Sequence, residues 1–128
     1  MKLLDILATV DDASAHVPEG WGQGRATYGG LVAALMQTHL ERSTLQGRPL
    51  RSASIHFIGP VAPGEVQFSS ELIRSGKSSL QAQCRLLQGG KTLAMLTATC
   101  GESRASEIIV PSSLAPASIG PDEGQAMP

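Results

Sequence analysis

The spacing of apolar residues changes once along this chain, and that change constrains the fold more than any other feature. From residue 31 to residue 40 the apolar side chains of LVAALMQTHL recur at helical spacing. From residue 51 onward they alternate or run at strand lengths in four segments: RSASIHFIGPV, EVQFSSELIRS, SLQAQCRLLQ and KTLAMLTATCGES. One buried helix followed by four strands predicts an α+β domain in which an antiparallel sheet wraps around a long central helix.

Turn residues mark the ends of these segments. Gly47 and Pro49 follow the helix, where glycine can take the left-handed conformation and proline prevents the helix from resuming. The stretches APG, SGK and QGGK separate the strands at hairpin spacing, so we predict a four-stranded antiparallel meander. The N-terminal LLDILATV fits either a short helix or an additional strand, and its pattern leaves both open.

Length and charge exclude several classes of protein. A chain of 128 residues with 41% hydrophobic content and a net charge of -1 fits one domain without a clustered basic excess, so no nucleic-acid partner is predicted. Asp5 interrupts the short N-terminal apolar run before a signal sequence forms. No stretch approaches the roughly 20 apolar residues of a membrane span. We therefore predict a cytoplasmic protein with no membrane partner.

Neither the cysteines nor the C-terminal segment carries a site motif. Cys84 and Cys100 lie in apolar strand-like runs without metal-ligand or redox spacing, which predicts reduced, packed thiols and no metal site. From Pro111 the chain is rich in Pro, Ser, Ala and Gly and has no periodicity. We divide the chain into a single domain at residues 1–108 and a tail or interdomain linker at residues 109–128.

Three stretches in a fixed order carry a family resemblance: WGQGRATYGG before the helix, RSASIHFIGPVAPGEV after it, and LIRSGKSSLQAQCRLLQGGKTLAMLTAT at the end of the sheet. Together they resemble the hotdog-fold acyl-CoA thioesterases, most closely the N-terminal hotdog unit of the acyl-CoA thioesterase II family. The resemblance covers about residues 20–105. It implies a hotdog fold, acyl-CoA as substrate and no cofactor.

The same resemblance implies an assembly. Hotdog units form homodimers or higher oligomers with sites between subunits, or they pair with a second unit on the same chain. An open sheet edge and an exposed apolar face give an independent reason to expect association. The sequence is compatible with a fragment, a processed half or a single-unit relative.

The glycines that open the helix suggest a site for a thioester carbonyl. A helix N-terminus presents unpaired N–H groups and positive partial charge, and residues without Cβ allow close approach of an acyl group. By resemblance, Gly29 and Gly30 polarise the carbonyl and stabilise the oxyanion that forms during hydrolysis. The alternative is that the two glycines only allow the helix to pack closely against the sheet.

Hydrolysis also needs a group that orients water. Hotdog thioesterases often place a carboxylate two turns into this helix, where this chain has Gln37, and no acidic residue lies between Glu19 and Glu41. An amide can hold water by hydrogen bonds but cannot take its proton at neutral pH.

Thioesterase II relatives use an aspartate, a strand hydroxyl and a glutamine in their C-terminal unit. The aspartate position falls near Gly30 and is not matched. The hydroxyl falls on Ser54, and the glutamine falls near Thr99 or Cys100 and is not matched. The predicted catalytic set is therefore Gly30, Gln37 and Ser54.

The remaining candidates are predicted to bind substrate. His56 shares a strand face with Ser54 by alternation, so it either binds substrate or has a packed or interface role. His39 lies on a different face of the helix from Gln37 and is expected to be structural. The turn RSGKSS offers a basic site for coenzyme A phosphates or is an ordinary hairpin with solvated charges. The predicted substrate-binding residues are Arg25, Tyr28, Gly29, His56, Arg74, Lys77 and Ser78.

Two functions remain at this point. The first is an acyl-CoA thioesterase that hydrolyses the thioester to free acid and CoA. The second is a non-catalytic hotdog unit that binds acyl-CoA or supports a catalytic partner domain, and the missing helix carboxylate favours it. Hydratase chemistry is set aside because Tyr28 stands where a histidine is needed and no acidic residue is near.

Overall fold

The computed structural model describes residues 1–125 and contains two α-helices and seven strands. The helices are α1 (Leu3–Ala8) and α2 (Gly29–Ser43). The strands are β1 (Ser14–Val17), β2 (Gly22–Gln23), β3 (Ala26–Thr27), β4 (Leu50–Phe57), β5 (Gly64–Ser75), β6 (Ser79–Gln88) and β7 (Lys91–Gly101). A short 3-10 turn spans Pro121–Glu123. The predicted α+β class, with an antiparallel sheet around one long helix, is confirmed.

The main sheet has five antiparallel strands in the order β1-β5-β6-β7-β4, and β2 and β3 form a separate hairpin. The predicted meander is confirmed for β5, β6 and β7 and is wrong for β4, which pairs with β7 rather than with β5. The stretch APG therefore belongs to a crossing connection, residues 58–63, instead of a hairpin. Turn residues signal where a strand ends but not which strand it will pair with.

Side-chain contacts hold the crossing connection at the end of the sheet. The amide and hydroxyl of Thr27 both donate to the carbonyl of Val61, at 2.8 and 2.7 Å. The Gln88 side chain accepts from the amide of Ala62 at 2.9 Å and donates to its carbonyl at 2.9 Å. The connection is thereby tied both to the residue that precedes Tyr28 and to the end of β6.

Helix α2 lies on the concave face of the sheet. Its buried residues are Leu31, Val32, Leu35, Met36, His39 and Leu40. Opposite them, β6 and β7 present small buried residues, among them Ala82, Ala94 and Ala98, which let the helix approach closely. The helix ends at Ser43, close to the predicted stretch, with Thr44 as its C-cap residue. The left-handed φ values of Gln46 and Gly47, 57° and 70°, belong to the turn that follows.

The N-terminal segment forms a helix first and a strand afterwards. The stretch LLDILATV contributes α1, and the fifth strand of the sheet is instead β1, which pairs with the start of β5. Between them the carboxylate of Asp11 accepts hydrogen bonds from the amides of Ala13 and Ser14, at 2.8 and 2.6 Å. This Asx-type turn reverses the chain and places β1 at the sheet edge.

The core confirms the prediction for the thiols. Cys84 and Cys100 are buried and unpaired, and burial raises the pKa of the Cys84 thiol to about 12. His39 is also buried and stacks on Phe68, with ring centroids 4.7 Å apart.

After β7, residues 102–120 have no regular secondary structure. Within residues 1–125 neither helix has the length and apolar character that a membrane crossing requires.

Candidate functional site

A cavity of about 380 Å³ opens at the start of α2. It lies between the helix, the β2–β3 hairpin and the crossing connection. Its lining residues are Gln23, Ala26, Thr27, Gly29, Val32, Phe57, Ile58, Gly59, Pro60 and Val61. Most of these are apolar, and the Thr27 hydroxyl already donates its hydrogen bond to the carbonyl of Val61. The volume is at the small end of the roughly 300–1000 Å³ typical of ligand pockets.

The first turn of α2 leaves amide donors free beside this cavity. Tyr28 is the N-cap residue and makes no side-chain capping hydrogen bond. Its carbonyl accepts from the amides of Leu31 and Val32, at 3.0 and 3.3 Å. The amides of Gly29 and Gly30 have no recorded acceptor among residues 1–125. A helix that begins with two glycines therefore presents two N–H groups with no bulky side chain between them.

Aromatic rings cover both glycines. A Cβ on Gly29 would lie 3.0 Å from Cζ of Phe57, and a Cβ on Gly30 would collide with the ring of Tyr28. Both rings are about half exposed, 57% for Phe57 and 49% for Tyr28. The glycines thus allow close packing of the two rings against the helix start, which is the second of the two alternatives drawn from the sequence. Their role towards a thioester carbonyl stays a prediction.

Gln37 lies half-buried on α2 and interacts with a carboxylate. Its Nε2 donates to Oε1 of Glu41 at 2.9 Å, one helical turn further along. Its own Oε1 is buried and has no hydrogen-bond partner within the described residues. Glu41 is not among the residues predicted from the sequence to form the site, although spacing of four residues on a helix brings side chains together. Gln37 and Glu41 form the polar pair of this helix face.

Ser54 and His56 lie on the side of the sheet that faces away from α2. Ile55 packs against the core and Phe57 contacts Gly29, so alternate residues of β4 point to the opposite face. Ser54 and His56 share that face, as alternation predicts, and both are exposed. Within one chain the structure therefore brings Phe57, and neither of these two residues, to the glycines.

The basic candidates occupy two different ends of the molecule. Arg74, Lys77 and Ser78 are exposed in and beside the turn between β5 and β6. This turn adjoins the Leu50 end of β4, which is roughly 23 Å along the strand from Phe57. Within one chain it is thus remote from the cavity.

Arg25 has the opposite placement. It is exposed at the tip of the β2–β3 hairpin, whose Gln23 and Ala26 line the cavity. Of the predicted basic residues, Arg25 is the one near the cavity in the same chain.

Sequence reasoning missed the apolar walls of the cavity. Phe57, Ile58 and Val61 line it, and none of these three is among the residues predicted from the sequence to bind substrate. Alternation from Ile55 was the available signal, because it places Phe57 on the helix side of β4. No group of three or more histidine, cysteine, aspartate or glutamate side chains within residues 1–125 is placed to hold a metal ion.

Solved structures define the class of this domain. A hotdog-fold protein of unknown function from Alicyclobacillus acidocaldarius superposes with a TM-score of 0.80 at 18% identity, over 94% of this chain and 47% of that one. The TesB protein of Mycobacterium avium subsp. paratuberculosis gives 0.74 at 20% identity, over 95% and 50%. Mouse thioesterase superfamily member 2 gives 0.63 at 20% identity, over 70% and 78%. These likenesses show the hotdog fold.

The sequence assigns the family. The profile of the family described as the acyl-CoA thioesterase N-terminal domain matches residues 17–101, and the chain belongs to that family. It spans about half the length of the first two structures above. The search of curated proteins found no match to this chain.

Proposed function

We propose that this chain binds an acyl-CoA thioester at the start of α2 and hydrolyses it to the free acid and CoA. The observation that carries the proposal is the pair of free amides at Gly29 and Gly30 beside an apolar cavity, in a domain of an acyl-CoA thioesterase family. The acyl chain occupies the cavity, and the thioester carbonyl oxygen faces the amides.

Hydrolysis then follows from the charges at this point. Water attacks the carbonyl carbon, the carbonyl oxygen becomes an oxyanion, and the amides of Gly29 and Gly30 stabilise it together with the positive end of the helix dipole. The C–S bond breaks, and the departing CoA sulfur takes up the proton that the attacking water releases. Gln37 lies seven residues, about 10 Å along the helix, from Gly30. In the dimeric form proposed below it orients the attacking water by hydrogen bonding, and the carboxylate of Glu41 holds the amide of Gln37.

We propose a homodimer as the working form, because one chain separates the candidate residues. Strand β4 is an edge strand with seven of its eight residues exposed, including the apolar Leu50 and Phe57. Antiparallel pairing of two copies of β4 places the Leu50 end of one beside the Phe57 end of the other. This arrangement turns the basic hairpin of one copy towards the cavity of the other.

The assembled site then contains residues from both copies. Arg25 and Tyr28 of one copy flank the cavity, and the partner's Arg74, Lys77 and Ser78 are available to the phosphates of CoA. Ser54 and His56 lie on β4 at the interface itself. Association into higher oligomers uses the same dimer as its unit.

The first experiment measures release of the CoA thiol from short-, medium- and long-chain acyl-CoAs. Gln37→Ala and Ser54→Ala are compared with Gln81→Ala and Ser69→Ala, which remove the same chemical groups from exposed positions of the sheet outside β4. We expect turnover by the wild type, strong loss in Gln37→Ala and Ser54→Ala, and full activity in the two controls. Turnover that survives both Gln37→Ala and Ser54→Ala contradicts the assigned roles.

A second function is favoured by the absence of a carboxylate at position 37. In that case the unit binds acyl-CoA without turnover and supports a catalytic partner domain. Binding of acyl-CoA with no thiol release on any substrate supports this function instead. If thiol release begins when a second hotdog unit is added, this chain supports a catalytic partner domain.

Two further assignments belong to the same proposal. Residues 109–128 are a tail or interdomain linker that follows a domain ending at residue 108, and the exposed, irregular backbone from residue 102 to residue 120 supports this. The location is the cytoplasm, where two unpaired buried thiols remain reduced.

A further inference from the structure

Phe57 is placed where it controls how much of the cavity is open. It is the last residue of β4, its ring lines the cavity, and 57% of the residue is exposed. We propose that Phe57 determines the length of the acyl chain that this site accepts. The proposal rests on acyl-CoA binding at the start of α2, and it names one side chain as the length determinant.

The ring position depends on the glycine beneath it. Three ring atoms, Cζ, Cε1 and Cε2, lie 3.0, 3.2 and 3.6 Å from the point that a Cβ on Gly29 would occupy. Only a residue without a side chain leaves this space to the ring. Phe57 therefore borders both the free amides and the apolar cavity, so an acyl chain that leads away from the amides must pass it.

Hydrogen bonds fix the backbone around Phe57, whereas more than half of the residue is exposed in the single chain. The amides of Ile58 and Gly59 both donate to the carbonyl of Leu93, at 2.8 and 3.1 Å, and Phe57 itself pairs with Ala94. In the single chain the ring lies at the edge strand of the sheet, next to the edge where the proposed dimer pairs two copies of β4. Changes at this side chain therefore alter the cavity without disturbing the strand.

The other walls offer less freedom. Thr27 and Val61 are buried and joined by two hydrogen bonds, and Val32 belongs to the core. Ile58 is about as exposed as Phe57, at 55%, but the ring of Phe57, and no atom of Ile58, provides the three atoms nearest to a Cβ on Gly29. Phe57 is thus the wall that is both exposed and adjacent to the amides.

The experiment compares saturated acyl-CoAs of increasing length, from acetyl to palmitoyl, with the full chain. In the wild type, kcat/KM is expected to rise about fourfold for each methylene that enters the cavity and to stop rising when the cavity is full. Phe57→Ala moves this limit to longer chains, and Phe57→Trp moves it to shorter ones. Leu72→Ala, which removes an exposed apolar side chain from β5, leaves the limit unchanged.

Equilibrium binding of the same acyl-CoAs, measured by titration calorimetry, separates this proposal from hydrolysis. If neither the wild type nor any variant hydrolyses acyl-CoA, but the acyl length at which Kd stops improving differs between wild type and the Phe57 variants, the role of Phe57 is supported and hydrolysis is not. Phe57→Leu carries the test if Phe57→Ala does not fold. A limit that is the same in wild type, Phe57→Ala and Phe57→Trp, or that moves only with Ile58→Ala, overturns the proposal, as does the absence of acyl-CoA binding.

Discussion

Gly30→Ala separates the two roles of the glycines that begin α2, because stability and activity are expected to respond differently. Alanine is a better helix former than glycine by roughly 0.5–1 kcal/mol. The added Cβ displaces the ring of Tyr28, which is half exposed and can rotate into solvent. The lost ring contact offsets the gain in helix propensity, so the free energy of unfolding is expected to change by about 1 kcal/mol or less.

Activity is expected to fall much further. The new methyl group and the displaced ring obstruct the amide that the carbonyl oxygen must reach. Loss of one oxyanion donor costs roughly 10²–10³ in kcat, and we expect a loss of that order in Gly30→Ala. Gly29→Ala is the neighbouring comparison, since its Cβ meets the ring of Phe57 instead of that of Tyr28.

Gly47→Ala is the matched control with the reverse behaviour. Gly47 has open space around its Cα but a left-handed φ of 70°, so alanine there is strained by about 1–2 kcal/mol. It should lower stability and leave kcat unchanged.

The assays are urea unfolding for stability and thiol release at saturating acyl-CoA for kcat, with acyl-CoA affinity measured alongside. If Gly30→Ala retains wild-type kcat and affinity while losing several kcal/mol of stability, the glycines serve packing alone and the oxyanion assignment is refuted.

Three other predictions concern the fold. The raised pKa of Cys84, about 12, keeps the thiol protonated at pH 8, so Ellman's reagent should react with it only after guanidinium unfolding, and fast reaction of the native protein would contradict this. Hydrogen bonds from the amides of Ala13 and Ser14 lower the pKa of Asp11 below its ordinary value of 3.8. The ionised carboxylate therefore stabilises the folded protein above pH 3.8, and this stabilisation is lost as the pH falls through the lower pKa of the folded state. Asp11→Ala should therefore destabilise the protein at pH 7 and much less at pH 2, as measured by urea unfolding, and an equal loss at both pH values refutes the assignment. Gln88→Ala removes the hydrogen bonds to the crossing connection and should cost about 1–3 kcal/mol in the same assay, whereas an unchanged midpoint shows that the connection holds without them.

Local sequence signals account for the helix, the strand segments and their ends. The helical spacing of Leu31 to Leu40 and the alternation from residue 51 onward reflect burial of one face, which the local pattern records directly. The pairing of β4 with β7 does not follow from such signals, because any neighbouring strand with one apolar face satisfies the same alternation. The start of β1 likewise depends on the turn at Asp11, which the apolar pattern does not contain.

The candidate site divides in the same way. The sequence predicts free amides at Gly29 and Gly30, because the first N–H groups of any helix have no acceptor within the helix. The covering ring of Phe57, the orientation of Ser54 away from the helix and the distance to the basic hairpin are set by packing between segments that are far apart in the chain. The sequence by itself determined the elements and the helix start, since these depend on neighbouring residues. Only the tertiary structure decided which side chains surround the cavity, because that depends on which strand face meets the helix.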